Sequence, residues 1–385
     1  MVTSSFPPDY GGGAMQALSL CSKLIDKEIE LFVVTKNNKG ENNIKELVNN
    51  IAVYRLGNAL EASVKFPFCV KVFLFLLSMR NSFDVVHSHG VYPFALTSIV
   101  LSKLLRKKCL VKMTIFGGDD PETIMGRKLG WLQIKILSMA DRIISTSSEL
   151  SESYKKFKLP DKKLVKIANG VDLNKFRPAD IKEKISLRTK LGLPIDNIIA
   201  TFVGLINKRK GIDLLIKAWK IIKKRCPNIK LLLIGPNSKD STISIDENYI
   251  SDLRQVIKQY NLENDICFTG QVAITDQYLR ASDLFVFPTR GEGLPNALLE
   301  AMACGLPCIA TKITCIEDII TIGYDGLLFE PEDFEHLSKF VIWLSQNPEI
   351  RKNIGLQARA TIENKFSMNI IAAQYSTLYR ELLQK

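Results

Sequence analysis

Glu292 and Glu300 lie in one unbroken run that reads as a strand end, a polar loop, a short helix and the next strand. Pro295 suits the first helical position, Ala297–Ala303 are strong helix formers, and Gly305 is a helix stop signal. The helix is therefore expected to start just after Glu292, with Glu300 on its second turn. Free N–H groups of the first turn would lie between the two carboxylates, where they attract a phosphate or diphosphate. Because carboxylates repel phosphates, the glutamates are better suited to accept hydrogen bonds from hydroxyl groups on either side, and this layout fits a nucleotide-sugar.

The longer segment Pro288–Ala310 closely resembles a segment of the retaining glycosyltransferases of family 4, in which two glutamates have the same spacing. The resemblance implies that Glu292 approaches the donor sugar as a catalytic residue and that Glu300 binds the ribose hydroxyls of the nucleotide. An ordinary helix-to-strand crossover with two surface acids is the alternative for the spacing alone. The residues that the resemblance assigns to donor binding between the glutamates are Gly293, Leu294, Pro295, Asn296, Ala297 and Leu298.

A glycine-rich turn near the N-terminus, Pro7–Met15, follows the first strand candidate and precedes a helical run. Glycines at a strand-to-helix turn allow positive φ and a close approach of backbone amides to an anion. The turn resembles the family's "FPPxxGG" loop, which implies that Gly11 and Gly12 approach the donor phosphates or the acceptor. An ordinary glycine turn is the alternative.

His87 and His89 are two of the three histidines of the protein and lie at the end of a buried strand candidate. Alternation along a strand points both side chains the same way. A metal site is not indicated, because no third ligand is evident. The segment Phe83–Gly90 resembles the family's "DVVHxHG" element, which singles out His89 as the residue near the transferred sugar. His87 is interpreted as structural.

The segment Val203–Trp219 resembles the family's "vGRLxxxKGxdxLixA" motif. Lys210 falls on the motif lysine, where an ammonium group can neutralise the donor diphosphate. Leu205 replaces the motif arginine, so diphosphate binding is expected to be weakened or to be shared by Lys208 or Arg209. A solvated basic loop is the alternative.

Other departures from the family concern the substrates. Phe116 stands where the family's "TxHGxD" element has a histidine, which changes the acceptor side. Thr314 and Cys315 replace two glycines of another family segment, in which Asp318 takes the place of the family's acid.

Apolar β-rich segments alternate with helical stretches in both halves of the chain, which is typical of parallel sheets covered on both faces. The sequence therefore predicts an α/β protein with two Rossmann-like doubly wound domains, and the resemblance implies a GT-B fold in which they face each other across a cleft. A turn-rich segment separates the halves. The N-terminal, acceptor-side domain is expected over residues 1–178, with 367–385 crossing back onto it. The C-terminal, nucleotide-sugar-binding domain is expected over residues 179–366.

Composition limits the class of protein. With 385 residues, of which 46% are apolar, the chain can form two domains of ordinary size. No apolar run reaches the roughly 18 to 20 residues needed to cross a bilayer, and the nearest, Val64–Met79, is interrupted by two lysines and a proline. The eight cysteines form no C-x-x-C pair and no cluster with metal spacing. This pattern indicates reduced thiols in a cytoplasmic protein without a metal site.

The formal net charge of +12 is concentrated in the first half of the chain. Residues 1–180 hold 26 Lys and Arg against 17 Asp and Glu, and the remainder holds 26 against 23. A basic half suits an anionic membrane surface, a phosphate-bearing acceptor or nucleic acid. Because no helix-turn-helix, zinc or RNP-like pattern is found, nucleic acid is not expected. A solvated basic face is the alternative.

These patterns and the resemblance together predict a retaining glycosyltransferase that moves a sugar from a nucleoside-diphosphate-sugar to a hydroxyl acceptor, without a bound metal or other cofactor. The expected partners are the nucleotide-sugar donor, a lipid-linked or polysaccharide-precursor glycan as acceptor, and an anionic membrane surface. The expected location is cytoplasmic and peripheral on the membrane face. A GT-B nucleotide-sugar epimerase and a noncatalytic sugar-nucleotide-binding protein remain alternatives.

Overall fold

The computed structural model describes residues 1–9, 11–38, 43–57, 65–237 and 246–384. Tyr10 of the glycine-rich turn and Val64 of the longest apolar run lie outside the described residues. The chain divides into two compact units. The first unit holds residues 1–170 together with 368–385, and the second unit holds residues 171–367.

The strands of the first unit are β1 (Val2–Thr3), β2 (Phe32–Lys36), β3 (Ile44–Val48), β4 (Ile51–Leu56), β5 (Val85–His89), β6 (Lys108–Lys112), β7 (Arg142–Ser145) and β8 (Leu164–Lys166). The strands of the second unit are β9 (Ile198–Val203), β10 (Ile229–Ile234), β11 (Ile266–Gly270), β12 (Leu284–Phe287), β13 (Cys308–Thr311) and β14 (Leu327–Phe329). The first helices are α1 (Gly12–Ile25), α2 (Lys65–Ser78), α3 (Pro93–Leu104), α4 (Pro121–Met125), α5 (Gly130–Leu137) and α6 (Ser148–Lys156). The second unit adds α7 (Ile181–Lys190), α8 (Ile212–Arg225), α9 (Glu247–Gln259), α10 (Thr275–Ala281), α11 (Asn296–Ala303), α12 (Thr314–Glu317), α13 (Phe334–Gln346) and α14 (Pro348–Thr361), and α15 (Met368–Leu383) belongs to the first unit.

The first sheet has the strand order β3-β4-β2-β1-β5-β6-β7-β8, and its strands are parallel except for the pair of β3 and β4. Successive side chains of a strand point to opposite faces. Val111 and Ile143 accordingly pack with residues of α2, α3 and α5. Leu110 and Ile144 pack on the other face with residues of α1 and α15. Helices therefore cover both faces of this sheet, as a doubly wound domain requires.

The second sheet is entirely parallel and has the order β11-β10-β9-β12-β13-β14. The chain starts at the centre with β9, runs to one edge at β11, returns to the centre at β12 and runs to the other edge. This is the strand order of dinucleotide-binding doubly wound sheets. Aspartates begin three of its helices, because the carboxylates of Asp180, Asp246 and Asp333 accept hydrogen bonds from N–H groups of the first turn.

One strand and one domain boundary differ from the sequence-based expectation. Strand β3 was not predicted, because its residues are mostly exposed and show no buried alternation. The units divide after Gly170 rather than after residue 178. Residues 171–178 belong to the second unit, where the Val171 N–H donates to the Phe366 carbonyl at 2.8 Å and the Arg359 guanidinium donates to the Phe176 carbonyl at 2.8 Å.

Candidate functional site

The carboxyl ends of β9 and β12 define the candidate site of the second unit. These two strands are neighbours at the point where the strand order reverses, since the chain leaves β9 toward β10 and leaves β12 toward β13. In open parallel sheets, ligands bind outside the carboxyl ends of the strands at such a reversal. The loop 204–211 follows β9, and the loop 288–295 follows β12. Both loops carry residues that the sequence predicts to bind the donor.

The loop after β9 ends in a tight turn, Lys208–Lys210, that lies directly on the end of β12. The Asn207 side chain caps this turn by accepting a hydrogen bond from the Lys210 N–H at 3.1 Å. Gly211 follows with φ of 71°, and a Cβ at this position would lie 1.9 Å from the carbonyl oxygen of Pro288. Glycine alone combines this left-handed backbone with so close an approach. Gly211 therefore allows the turn to meet the loop after β12.

Glu292 is contacted by both basic side chains at the end of this turn. Nζ of Lys210 bonds to Oε1, and a guanidinium nitrogen of Arg209 lies 3.3 Å from Oε2. The Thr289 hydroxyl also donates to Oε1, at 2.9 Å. Because Glu292 is only 9% exposed, two cations and a hydroxyl rather than bulk water balance its charge. The structure thus brings together three predicted site residues from distant parts of the chain.

The electrostatic character of this site is positive. Burial lowers the pKa of Lys210, and the neighbouring Glu292 carboxylate opposes that effect. The Lys210 ammonium also lies 5.1 Å from the ring centroid of Phe287, so the ring face contributes to holding the charge. Two cations against one carboxylate leave an excess of positive charge, which suits a diphosphate.

Arg209 is the second cation at Glu292, beside Lys210, in a chain that has leucine rather than arginine at position 205. Its guanidinium also donates to the Gly291 carbonyl, which keeps the side chain at Glu292. The Lys208 side chain is exposed, and what Lys208 contributes to the loop contact is its carbonyl, which accepts from Arg290. Of Lys208 and Arg209, the two residues that the sequence predicts to compensate for Leu205, Arg209 is the one whose side chain contacts the Glu292 carboxylate.

Helix α11 begins at Asn296, and Pro295 precedes it in an extended conformation. The prediction that Pro295 occupies the first helical position is therefore wrong by one residue. Asn296 and Ala297 are half-buried. The predicted donor-binding residues that are buried are Gly293, Leu294, Pro295 and Leu298. Since the Leu298 side chain is fully buried, this residue can meet a ligand only through its backbone.

Glu300 lies on the second turn of α11, as predicted, and is half-buried. Burial raises the pKa of its carboxyl group to about 7, with the nearby Lys175 lowering it and Asp276 adding to the increase. Within the described residues, no side chain donates a hydrogen bond to this carboxylate. The carboxylate is thus available to a ligand that carries hydroxyl groups.

In the first unit, the two histidines share one face of the sheet, as predicted, with ring centroids 4.7 Å apart. His87 is buried, its Nδ1 lies 2.6 Å from the Tyr379 hydroxyl, and its ring stacks on Tyr375 at 5.3 Å. These contacts tie β5 to α15. His89 is the last residue of β5 and is also buried. It therefore stands at the point where the first sheet reverses its order between β1 and β5.

The histidines are kept neutral by their surroundings. Burial lowers the pKa of both well below the ordinary value, and the neighbouring Lys112 lowers them further. Lys112 is itself buried, which lowers its pKa to about 8, and its Nζ bonds to Oδ1 of Asn169 at 2.8 Å. Nε2 of His89 has no hydrogen-bond partner within the described residues. This nitrogen is buried, and a neutral imidazole can accept or donate one hydrogen bond there.

Asp119 is a buried carboxylate outside the set of residues that the sequence predicts for the site. It accepts hydrogen bonds from the N–H groups of Val91, Thr114 and Ile115 at 2.7–3.0 Å and from the Thr114 hydroxyl at 2.9 Å. Burial raises its pKa although these bonds oppose that effect. Asp119 thereby joins the loop after β5, which follows His89, to the loop after β6. Its place at the end of the "TxHGxD"-like element is the sequence signal that could have indicated this role.

The remaining predicted positions are distributed over both units. Gly11 precedes α1 and Gly12 begins it, so the glycine turn does lead into a helix. Phe116 is 37% exposed on the loop after β6. Thr314 begins α12 and is exposed, whereas Cys315 is fully buried. The residues that replace the two glycines therefore form part of a helical turn.

The described residues contain neither a metal-binding cluster nor a membrane-spanning helix. No group of three or more His, Cys, Asp or Glu side chains in this part of the chain is arranged to hold a metal ion. No helix in the same residues is both long and apolar enough to cross a membrane.

Family models match both halves of the chain. The model described as "Glycosyl transferases group 1" matches residues 183–361, and the model described as "Glycosyltransferase Family 4" matches residues 10–175. Among curated relatives, the N-acetyl-alpha-D-glucosaminyl L-malate synthase of Bacillus anthracis is 24% identical over 98% of this chain and 96% of its own length. The UDP-Gal:alpha-D-GlcNAc-diphosphoundecaprenol alpha-1,3-galactosyltransferase of Escherichia coli is 27% identical over 80% of this chain and 78% of its own.

Solved structures share the fold over the whole chain. Anabaena HepE in complex with UDP and glucose superposes with a TM-score of 0.80 at 18% identity, covering 98% of both chains. Sucrose-phosphate synthase from Thermosynechococcus elongatus superposes with a TM-score of 0.80 at 21% identity, covering 100% of this chain and 98% of the other. These likenesses confirm the predicted α/β, GT-B fold class.

Proposed function

The chain belongs to the family 4, group 1 glycosyltransferases, and on that premise we propose that it moves a sugar from a nucleoside-diphosphate-sugar to a hydroxyl acceptor with retention at the anomeric carbon. The observation that carries this proposal is the contact of Lys210 and Arg209 with opposite oxygens of Glu292. It places two cations and a carboxylate where a doubly wound sheet receives a nucleotide.

These three side chains can exchange partners when the donor binds. The donor diphosphate competes with Glu292 for Lys210 and Arg209, because phosphate oxygens form strong charge-assisted hydrogen bonds with both cations. Glu292 then accepts hydrogen bonds from hydroxyl groups of the donor sugar. Glu300 accepts hydrogen bonds from the ribose. Donor binding therefore replaces a contact within the protein by contacts to both ends of the donor.

The chemical step breaks the bond between the anomeric carbon and the diphosphate, and negative charge grows on the diphosphate as it leaves. Lys210, Arg209 and the N–H groups of the first turn of α11 are placed to stabilise that charge, which is the largest single contribution in many enzymes. A bound metal is therefore not required. The acceptor hydroxyl becomes bonded to the anomeric carbon, and its proton passes to an oxygen of the leaving diphosphate. We assign His89 of the first unit to a hydrogen bond with a hydroxyl group of the transferred sugar.

The test is an incubation of the enzyme with a panel of UDP-, GDP- and ADP-sugars, with and without acceptor. Two acceptors are chosen from the activities for which the relatives are named, L-malate and an undecaprenol-diphosphate-linked N-acetylglucosamine. Release of nucleoside diphosphate together with a glycosylated product whose anomeric configuration matches the donor supports the proposal, and EDTA should not reduce it. Release of a modified free sugar without acceptor would indicate an epimerase. Tight nucleotide binding without turnover on any donor would indicate a binding protein.

We further propose a lipid-linked or other membrane-proximal acceptor, reached from the cytoplasmic side. The segment 123–140 of the first unit contains no acidic residue and carries Arg127, Lys128 and Lys135. Its exposed apolar side chains include Leu129 at 55% and Trp131 at 60%. Tryptophan and apolar side chains between basic residues suit the headgroup region of an anionic bilayer, where each basic residue contributes about 1 kcal/mol.

Sedimentation with vesicles tests this contact. The protein should bind vesicles that contain an anionic lipid more strongly than neutral ones, and salt should release it because exposed charges are screened. Trp131→Ser should weaken binding, whereas Trp343→Ser, which changes a tryptophan that is 40% exposed in the second unit, should leave binding unchanged. Equal partitioning onto neutral and anionic vesicles, or no binding at low salt, would favour a soluble acceptor.

A further inference from the structure

Arg290 lies two residues before Glu292 and joins four segments of the second unit. Its guanidinium contacts Asp213 at the start of α8 at 2.8 and 2.9 Å and Glu332 after β14 at 2.7 and 3.0 Å. It also donates to the Lys208 carbonyl. These contacts, which we name the Arg290 clasp, hold the loop after β9 against the loop after β12.

The backbone of Arg290 takes part in the same junction. Its N–H donates to the Arg209 carbonyl at 2.7 Å. These bonds hold the backbone that carries the cations Arg209 and Lys210. They also hold the backbone two residues before Glu292, the carboxylate that the cations contact. Within the described residues, no hydrogen bond joins the clasp to Glu292. Arg290 therefore acts on this site through the two loops.

The partners of Arg290 are themselves held in place. Tyr249 on α9 donates its hydroxyl to Oδ1 of Asp213 at 2.9 Å. Burial pushes the pKa of Asp213 upward, but the hydrogen bonds from Arg290 and Tyr249 hold it below its usual value. Asp213 is therefore charged at neutral pH, and the clasp is an ion pair with bidentate geometry. Such geometry distinguishes it from surface ion pairs that contribute little.

We propose that Arg290 is a positioning residue for donor binding, because its planar guanidinium sets the distance between the cations Arg209 and Lys210 and the carboxylate Glu292. The inference rests on the proposed function of that site. A lysine at position 290 would keep the charge but could not form two bidentate contacts at once. The loops would then lose their fixed separation, and the diphosphate would meet its cations in a less ordered arrangement.

The experiment compares two charge-conserving variants, Arg290→Lys and Arg188→Lys. Arg188 is a matched control because it contacts Asp283 at 2.6 Å and three carbonyls, those of Ala281, Ile195 and Asn197, near the amino ends of β9 and β12. It therefore joins the same two strands at their amino ends, opposite the ends that carry the candidate site. The measurements are the KM for donor and for acceptor, kcat, the Kd of the nucleoside diphosphate by calorimetry and the melting temperature.

Arg290→Lys should raise the donor KM and the nucleoside diphosphate Kd about tenfold, which corresponds to about 1.4 kcal/mol, with the acceptor KM unchanged. Arg188→Lys should lower the melting temperature and leave the donor KM unchanged at temperatures where it is folded. Glu332→Gln, which changes an exposed partner in the clasp, should raise the donor KM by a smaller factor and serves if a lysine variant does not fold.

Two outcomes separate this inference from the function on which it rests. If the native protein binds no nucleoside diphosphate, the proposed function itself fails. If the native protein binds it and folded Arg290→Lys binds it equally well, the positioning role of Arg290 is wrong while the donor site stands. An equal loss of donor affinity in Arg188→Lys would also overturn the inference, because it would show a general effect of loosening the sheet.

Discussion

Glu300→Gln removes a carboxyl group that the fold holds in an unfavourable setting. Burial raises the pKa of Glu300 to about 7, from an ordinary value of 4.5. Below the lower value the group is protonated in both the folded and the unfolded chain and does not affect stability. As the pH rises between the two values, the unfolded chain releases a proton that the folded chain retains, so stability falls. Above pH 7 both states are ionised, and the full penalty applies.

The size of this penalty follows from the two pKa values. A difference of this size costs the folded protein up to about 3 kcal/mol above pH 7. Glutamine has nearly the same shape and carries no ionisable group. The variant should therefore match the native protein near pH 4 and be more stable by about 1 to 3 kcal/mol at pH 8.

Urea denaturation at pH 4 and pH 8 measures this difference, with the fluorescence of Trp219, a buried residue of the same unit, as the signal. Glu349→Gln, at an exposed position in α14, is the matched control and should give the same small effect at both pH values. The same Glu300→Gln variant should bind nucleoside diphosphate more weakly by about 1 to 3 kcal/mol, because a charged acceptor is lost. A variant that is no more stable than the native protein at pH 8 would refute the argument from burial, and unchanged nucleotide affinity would remove the ribose-binding role.

The remaining predictions concern both units. Lys210→Met should reduce kcat at least about 100-fold in steady-state assays, and near-native turnover in a folded variant would contradict its role at the diphosphate; Leu205→Arg should lower the donor Kd by adding a cation. Gly211→Ala should destabilise the second unit by more than about 1 kcal/mol in urea denaturation, since its Cβ would lie 1.9 Å from the Pro288 carbonyl, and native stability would show that the loops can separate without cost. Tyr379→Phe should lower the free energy of unfolding by about 1 to 3 kcal/mol, because His87 loses its hydrogen-bond partner, while calorimetry should find the nucleotide Kd unchanged.

The predictable part of this protein is local. Leu284–Phe287, Asn296–Ala303 and Cys308–Thr311 form a strand, a helix and a strand near the positions that their apolar, helix-forming and stop residues predict. Glu300 falls on the second turn of the helix because the helix starts within a few residues of the predicted place. Such features depend on neighbours within one or two turns of the chain, which the sequence displays directly.

Contacts between distant segments were not predictable in the same way. The sequence offered Lys208 and Arg209 as equal replacements for an arginine at Leu205, and only the tertiary structure decides for Arg209 because the turn is pressed against the end of β12. The contact of Arg290 with Asp213 has no signal in the sequence, since the two residues are 77 positions apart and become neighbours only through the order of the strands.

Local sequence patterns were enough to predict the alternation of strands and helices, the fold class, and one glutamate in the loop before a short helix with another on its second turn. The pairing of charges depends on the folded chain: Lys210 and Arg209 pair with Glu292, and Arg290 pairs with Asp213 and Glu332. Helices and strands form from short-range periodicity, whereas these pairs arise from the order in which parallel strands join the sheet. That order places the carboxyl ends of β9 and β12 side by side, although they lie far apart in the chain.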